Sequence, residues 1–226
     1  MKLINSNIFE NAIINCFGDS TTWGDNGLGT GGNQISWTTQ IQKFLKFKTV
    51  RNYGLNGSRM AITADRDDSF IERYERMDNN ADIITVLGGV NDFQHDVPLG
   101  NITSTDPYCF YGALNTIITG LLEKYPDKVI IFMTPMKNDF VHPVKKYPNS
   151  FTFNKAHLKQ IDYVNAIKDV CDYYSIPVLD LYSESGISPF NENQAALYMP
   201  DKLHYSEAGY LRLAKKIAGY LSNIQL

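Results

Sequence analysis

Apolar runs alternate with helical stripes along this chain from residue 12 onward. "AIINCFG" (12–18) is a short apolar run closed by a glycine, and it predicts a buried strand. Trp37, Ile41, Phe44 and Leu45 then recur at helical spacing. "TVRNYG" (49–54) predicts a second strand and "SFIERYERM" (69–77) a helix. "ADIITVLGG" (81–89) is the clearest buried strand. Phe110, Leu114, Ile117, Ile118, Leu121 and Leu122 follow it along one helical face. "KVIIFMTP" (128–135) predicts strand four, stopped by Pro135. Leu158, Ile161, Val164 and Ile167 mark another helix, and "PVLDLY" (177–182) strand five. Ser206 opens a last helix that carries Leu211, Ala214, Ala218 and Leu221.

Strands separated by helices imply parallel crossovers and a five-stranded parallel sheet covered on both faces. No repeat, low-complexity tract or linker interrupts the alternation, so residues 1–226 are expected to fold as one α/β domain. Ligands in such sheets bind beyond the carboxyl ends of the strands. Four polar clusters fall there: "GDST" after strand one, "NYGLNGS" after strand two, "GGVNDF" after strand three and "MPDKLHYS" before the last helix.

Composition narrows the function. Hydrophobic residues make up 43% of the chain, enough for a sizeable core. The net charge is −3 and no stretch is strongly basic, which argues against nucleic acid and anionic membranes as partners. Asn and Glu interrupt "MKLINSNIFENAII" where a signal core would need apolar residues, and no run reaches the roughly 20 residues that span a bilayer. Stable membrane insertion is therefore not expected. Cys16, Cys109 and Cys171 lie far apart in apolar or aromatic surroundings. They are expected to be buried free thiols in a reducing compartment, with the cytoplasm as the default location.

A serine hydroxyl is a weak nucleophile that needs a base within hydrogen-bond reach, held in the correct tautomer. Ser20 stands at the exit of strand one. Asp201 and His204 are three residues apart, a spacing that lets a carboxylate bond one ring nitrogen while the other faces a partner. A tetrahedral oxyanion also needs fixed donors. The N–H of Ser20, the N–H of Gly57 and the side-chain amide of Asn91 are matching types.

"GDS", "NYGLNG", "GVND" and "DKLH" followed by "YSEAGY" resemble, in chain order, the four blocks of the SGNH (GDSL-like) hydrolases. "RDDSFIERYERM" and "FYGALNTIITGLLEKYP" also resemble a bacterial branch of GDSL-like lipases and acylhydrolases. The resemblance implies a flavodoxin-like three-layer α/β/α sandwich that cleaves esters without a cofactor. It implies Ser20 as nucleophile, His204 as base and Asp201 as the residue that orients it. Ser20, Gly57 and Asn91 would form the oxyanion hole. Thr21 stands where the family's motif has leucine, a position often replaced in the family. Gly57 is preferred over Gly54 because the family's block commonly places the glycine five residues after its asparagine.

Each block has a blander use. "GDS" alone arises by chance, and Asp–x–x–His is often a helix cap beside a solvated histidine. Four blocks in order at strand ends favour chemistry. Asp19, Trp23, Tyr53 and His95 are candidates to line the cleft, although core packing or an exposed loop is the commoner use of such residues. His142 and His157 read as surface residues, and "DRDDSFIERYERMDNN" as a solvated helix face with mixed-sign pairs. Two other functions compete with this one. A flavin module would use the hydroxyls of "DSTTWGDNG" for phosphate, but Asp19 stands in the way. A two-metal phosphoesterase would recruit Asp19, Asn91, Asp201 and His204, yet needs more ligands than these blocks offer. The expected activity is hydrolysis of a small ester, such as an acetylated carbohydrate. A lysophospholipid or thioester is the alternative, and oligomerisation is left open.

Overall fold

The computed structural model describes residues 9–140, 142 and 144–224. Residues 1–8, most of the stretch read against a signal core, lie outside these. The strands are β1 (Ile13–Gly18), β2 (Thr49–Gly54), β3 (Ile83–Leu87), β4 (Val129–Met133) and β5 (Val178–Leu179). They form one sheet in the order β2–β1–β3–β4–β5, and every neighbouring pair is parallel.

Alternation along the strands builds two cores. Phe17, Ile84, Val86, Ile130 and Phe132 point to one face, and Ile14, Cys16, Ile83, Leu87, Ile131 and Met133 to the other. Helices α3 (Phe70–Arg73), α5 (Phe110–Lys124) and α6 (Gln160–Tyr173) cover the first face, and α2 (Trp37–Gln40) and α9 (Glu207–Leu221) the second. Four shorter helices stand in the connections: α1 (Ser20–Trp23), α4 (Val90–Gln94), α7 (Leu181–Glu184) and α8 (Glu192–Tyr198). The result is a three-layer α/β/α sandwich. No helix of the described residues is long and apolar enough to cross a membrane. All three cysteines are free and buried.

Several elements differ from the expectation. The helices read over 37–45 and 69–77 are each one α-helical turn continued by a 3-10 turn, Ile41–Lys43 and Tyr74–Arg76. β5 stops at Leu179 because the Asp180 side chain accepts from the Ser183 N–H and caps α7. Leu122 faces solvent, one position past the buried stripe of α5. The charged run around α3 is not a solvated face: Phe70 and Arg73 are buried. The Arg73 guanidinium donates to the carbonyls of Gly18, Tyr53 and Asp68 and to Ser58 Oγ, and packs on Phe17 and Phe70.

Candidate active site

β1 ends where α1 folds back against it. A Cβ on Gly18 would stand 2.1 Å from Thr22 Oγ1 and 2.8 Å from the Leu87 carbonyl, so only glycine fits. Asp19 follows as the N-cap of α1, its Oδ1 accepting from the Thr21 N–H at 2.9 Å. Ser20 is thereby the first residue of the helix, at the carboxyl edge of the sheet. Its own N–H meets no acceptor among the described residues.

Asp201 and His204 sit in the turn between α8 and α9. One carboxylate oxygen of Asp201 accepts the backbone N–H groups of Leu203 and His204, at 3.0 and 2.7 Å. The other accepts from His204 Nδ1 at 2.6 Å, which fixes the tautomer with Nε2 bare. Ser20 Oγ donates to that Nε2 at 3.2 Å. The cap reading of Asp201 is thus half right: it does hold backbone N–H groups, but Ser206 is the residue that caps α9. Burial lowers the pKa of His204, and the hydrogen bond and charge of Asp201, with Asp25 and Asp19 beyond, outweigh it and leave it raised. Burial raises the pKa of Asp201, and its bonds to His204 and Leu203 more than reverse this.

Gly57 has φ +73°, in the left-handed region, and its N–H has no acceptor among the described residues. The N–H of Gly54 is taken by Asn52 Oδ1 at 2.8 Å. Asn91, in α4, donates its amide to the Ser58 carbonyl at 3.1 Å and reaches Asp19 Oδ2 at a long 3.5 Å. Beneath it Asp92 accepts the N–H groups of Met60 and Ala61, at 3.0 and 3.1 Å, and ties the second block to the third. Burial pushes both Asp19 and Asp92 up to about 6, against the opposing pull of the N–H groups they accept.

The profile of the GDSL-like Lipase/Acylhydrolase family matches residues 16–212, a span that holds all four blocks. The chain belongs to this family. Its members are hydrolases of carboxylic esters. One solved structure similar to this GDSL-like chain is 50% identical, with a TM-score of 0.93, covering 96% of this chain and 99% of its own. A protein from Lactobacillus plantarum is 29% identical over 96% and 99%, with a TM-score of 0.82. A possible lipase from Chitinophaga pinensis shares the fold at 24% identity, with a TM-score of 0.71 over 93% and 98%. Among curated proteins no match is found.

The four residues expected to line the cleft of this GDSL-like protein fare differently. Asp19 is buried below the site, where it caps α1. Trp23 is exposed at the far end of that helix. Tyr53 packs against the first core and accepts the Asp78 N–H at its hydroxyl, away from the cleft. Of the four, His95 alone borders the groove beside the site: its Nδ1 donates to the Asn91 carbonyl at 2.9 Å, and its ring lines a groove of about 810 Å³. Aromatic contacts link that groove to the site. Phe140 meets His204 edge-on at 5.9 Å and stacks on Tyr147 at 5.7 Å, and Tyr147 lies 5.4 Å from His95. His142, read as a surface residue, is half-buried against Phe140 and Tyr147, whereas His157 is exposed. Sequence reasoning missed Phe140 and Tyr147, which lie in no motif. It also missed Asp25, whose Oδ2 is 3.9 Å from His204 Nε2 and accepts from Asn56 Nδ2 at 3.0 Å. Its signal was its place five residues after Ser20.

Proposed function

We propose that the protein is a serine esterase in which Ser20, His204 and Asp201 act as a triad through an acyl-enzyme. The observation that supports this best is the continuous chain from Asp201 Oδ2 through both nitrogens of His204 to Ser20 Oγ, at 2.6 and 3.2 Å. His204 Nε2 takes the hydroxyl proton as Oγ attacks the ester carbonyl. The oxyanion is met by the N–H groups of Ser20 and Gly57, which have no acceptor of their own among the described residues. Asn91 joins them by exchanging its long contact to Asp19. His204 then protonates the departing alcohol, and a water that it deprotonates releases the acid. Asp201 stabilises the imidazolium throughout.

The acyl group is short, acetyl foremost, and the alcohol polar, such as a carbohydrate. In support, most residues that line the groove beside the site are charged or amide-bearing, with Tyr147, Pro148 and Phe153 the apolar minority, a poor bed for a long acyl chain. Initial rates on p-nitrophenyl esters from acetate to decanoate, with Ser20→Ala as the blank, test both parts. The expected result is turnover that requires Ser20 and falls beyond acetate. A Ser20-dependent rate that peaks at long chains would replace the acetylesterase with a lipase or thioesterase, and a Ser20-independent rate would remove the triad.

A further inference from the structure

The groove next to the site has a charge opposite to that of the molecule. It is lined by four cations, Arg59, Lys145, Lys146 and Lys155, against two carboxylates, on a chain whose net charge is −3. Two of the cations are neutralised locally: Arg59 forms a two-point pair with Asp65, and Lys155 Nζ is 3.5 Å from Asp96. Lys145 and Lys146 are exposed and form no ion pair among the described residues. Arg59 is 4% exposed, and its Nε is buried with no acceptor among the described residues. The residue that follows Ser58, the Asn91 acceptor, is this arginine, so the cationic groove and the proposed oxyanion pocket share a backbone segment.

We propose that this groove is an anion subsite that selects esters carrying a carboxylate or phosphate on the part of the substrate remote from the scissile bond. Lys145 and Lys146 are the specificity-determining residues. Tyr147 and His95 form the floor that leads from it to His204 by way of Phe140. The proposal rests on the esterase reading and adds a substrate class to it. Two uncompensated cations in a concave surface attract an anion more strongly than they would on a convex one, because the groove walls exclude water from the field between them. Asp25, on the catalytic histidine itself, works the other way: it disfavours an anion at the reacting end and leaves the groove as the place for one.

The test compares acetate release from 6-acetoxyhexanoate and from neutral 6-acetoxyhexanamide. The charge stands at the far end of a methylene chain, so the two esters are equally reactive in themselves. The expected result is a kcat/KM roughly fivefold higher for the anion, carried by KM, as for exposed charge pairs. This ratio should decay as KCl is added and approach one in the Lys145→Ala/Lys146→Ala variant. A ratio of one in the unmodified protein, or a preference that survives in the double variant, overturns the proposal. 6-Acetoxyhexyl phosphate in place of the hexanoate tells a phosphate site from a carboxylate site. If neither ester is hydrolysed, the esterase reading fails by itself. The groove is tested independently by calorimetry on the Ser20→Ala protein, which must bind the hexanoate in preference to the amide; equal binding overturns it.

Discussion

In the proposed mechanism the protonation of His204, which stands between Ser20 and the carboxylates of Asp201 and Asp25, sets the rate. His204 is a base only when neutral. Its pKa is pulled down by burial and raised further by Asp201, Asp25 and Asp19, ending above the 6.5 of an ordinary histidine. Activity should therefore rise with pH along a limb whose midpoint lies above 6.5, measured as kcat/KM on an acetyl ester. Asp25→Asn removes one of the raising charges, so the midpoint should move to lower pH while the limb keeps its shape. A rate that is flat from about pH 5 to 8 would contradict the assignment of this base. The oxyanion donors predict a separate effect: Asn91→Ala should lower kcat by about 10²–10³ with little change in KM. Ser20, Gly57, Asn91, Asp201 and His204 were legible because their residue types and order are tied to chemistry. Asp25 and Phe140 were not, because their importance comes only from proximity to His204 across the fold.

Elements hold these residues through a few buried polar clamps. Arg73 reaches from α3 to the carbonyl ends of β1 and β2 and to Ser58, while Asp92 reaches from α4 to Met60 and Ala61. Together they fix the second block against the first and third. Burial lowers the Arg73 pKa to about 10, which still leaves it charged at neutral pH. Arg73→Met would remove four hydrogen bonds, to the carbonyls of Gly18, Tyr53 and Asp68 and to Ser58 Oγ, although Gly18 keeps the Leu55 N–H and Asp68 keeps Ser58 Oγ. It should cost about 2–4 kcal/mol in urea unfolding and reduce kcat through a loosened Gly57–Ser58 segment. An unfolding midpoint equal to that of the unmodified protein would show that the clamp is dispensable. Strands β1, β3 and β4 and the long helices α5, α6 and α9 were readable because each is a buried apolar run or carries a repeating apolar face. The helical turns α1, α4, α7 and α8 are too short for a period, and caps such as Asp19 and Asp180 define them instead. The burial of Arg73 lay beyond any local pattern, since its acceptors are far away in the chain.

Over the whole molecule, three of the groups that titrate between acid and neutral pH prefer their proton more in the folded chain than in the unfolded one. Asp19 and Asp92 are raised from 3.8 to about 6, and His204 is raised above 6.5. Their favourable contribution is complete below the unfolded pKa and is lost as pH rises through the folded one. His95 opposes them, because burial and the charge of Arg59 lower its pKa and the fold loses its contribution below 6.5. With three groups against one, Tm should be a few degrees higher near pH 5 than near pH 7.5. Asp201, whose pKa is lowered, withdraws its support only at more acidic pH. A Tm that falls steadily over that window would refute this balance. If Ser20 Oγ is the nucleophile, it reacts with a fluorophosphonate. Oγ displaces fluoride and keeps the phosphonyl group, which peptide mass spectrometry then locates. One adduct is expected, on Ser20, formed more slowly in His204→Ala and absent in Ser20→Ala; an adduct on any other residue, or one that persists in Ser20→Ala, would rule out Ser20 as the nucleophile.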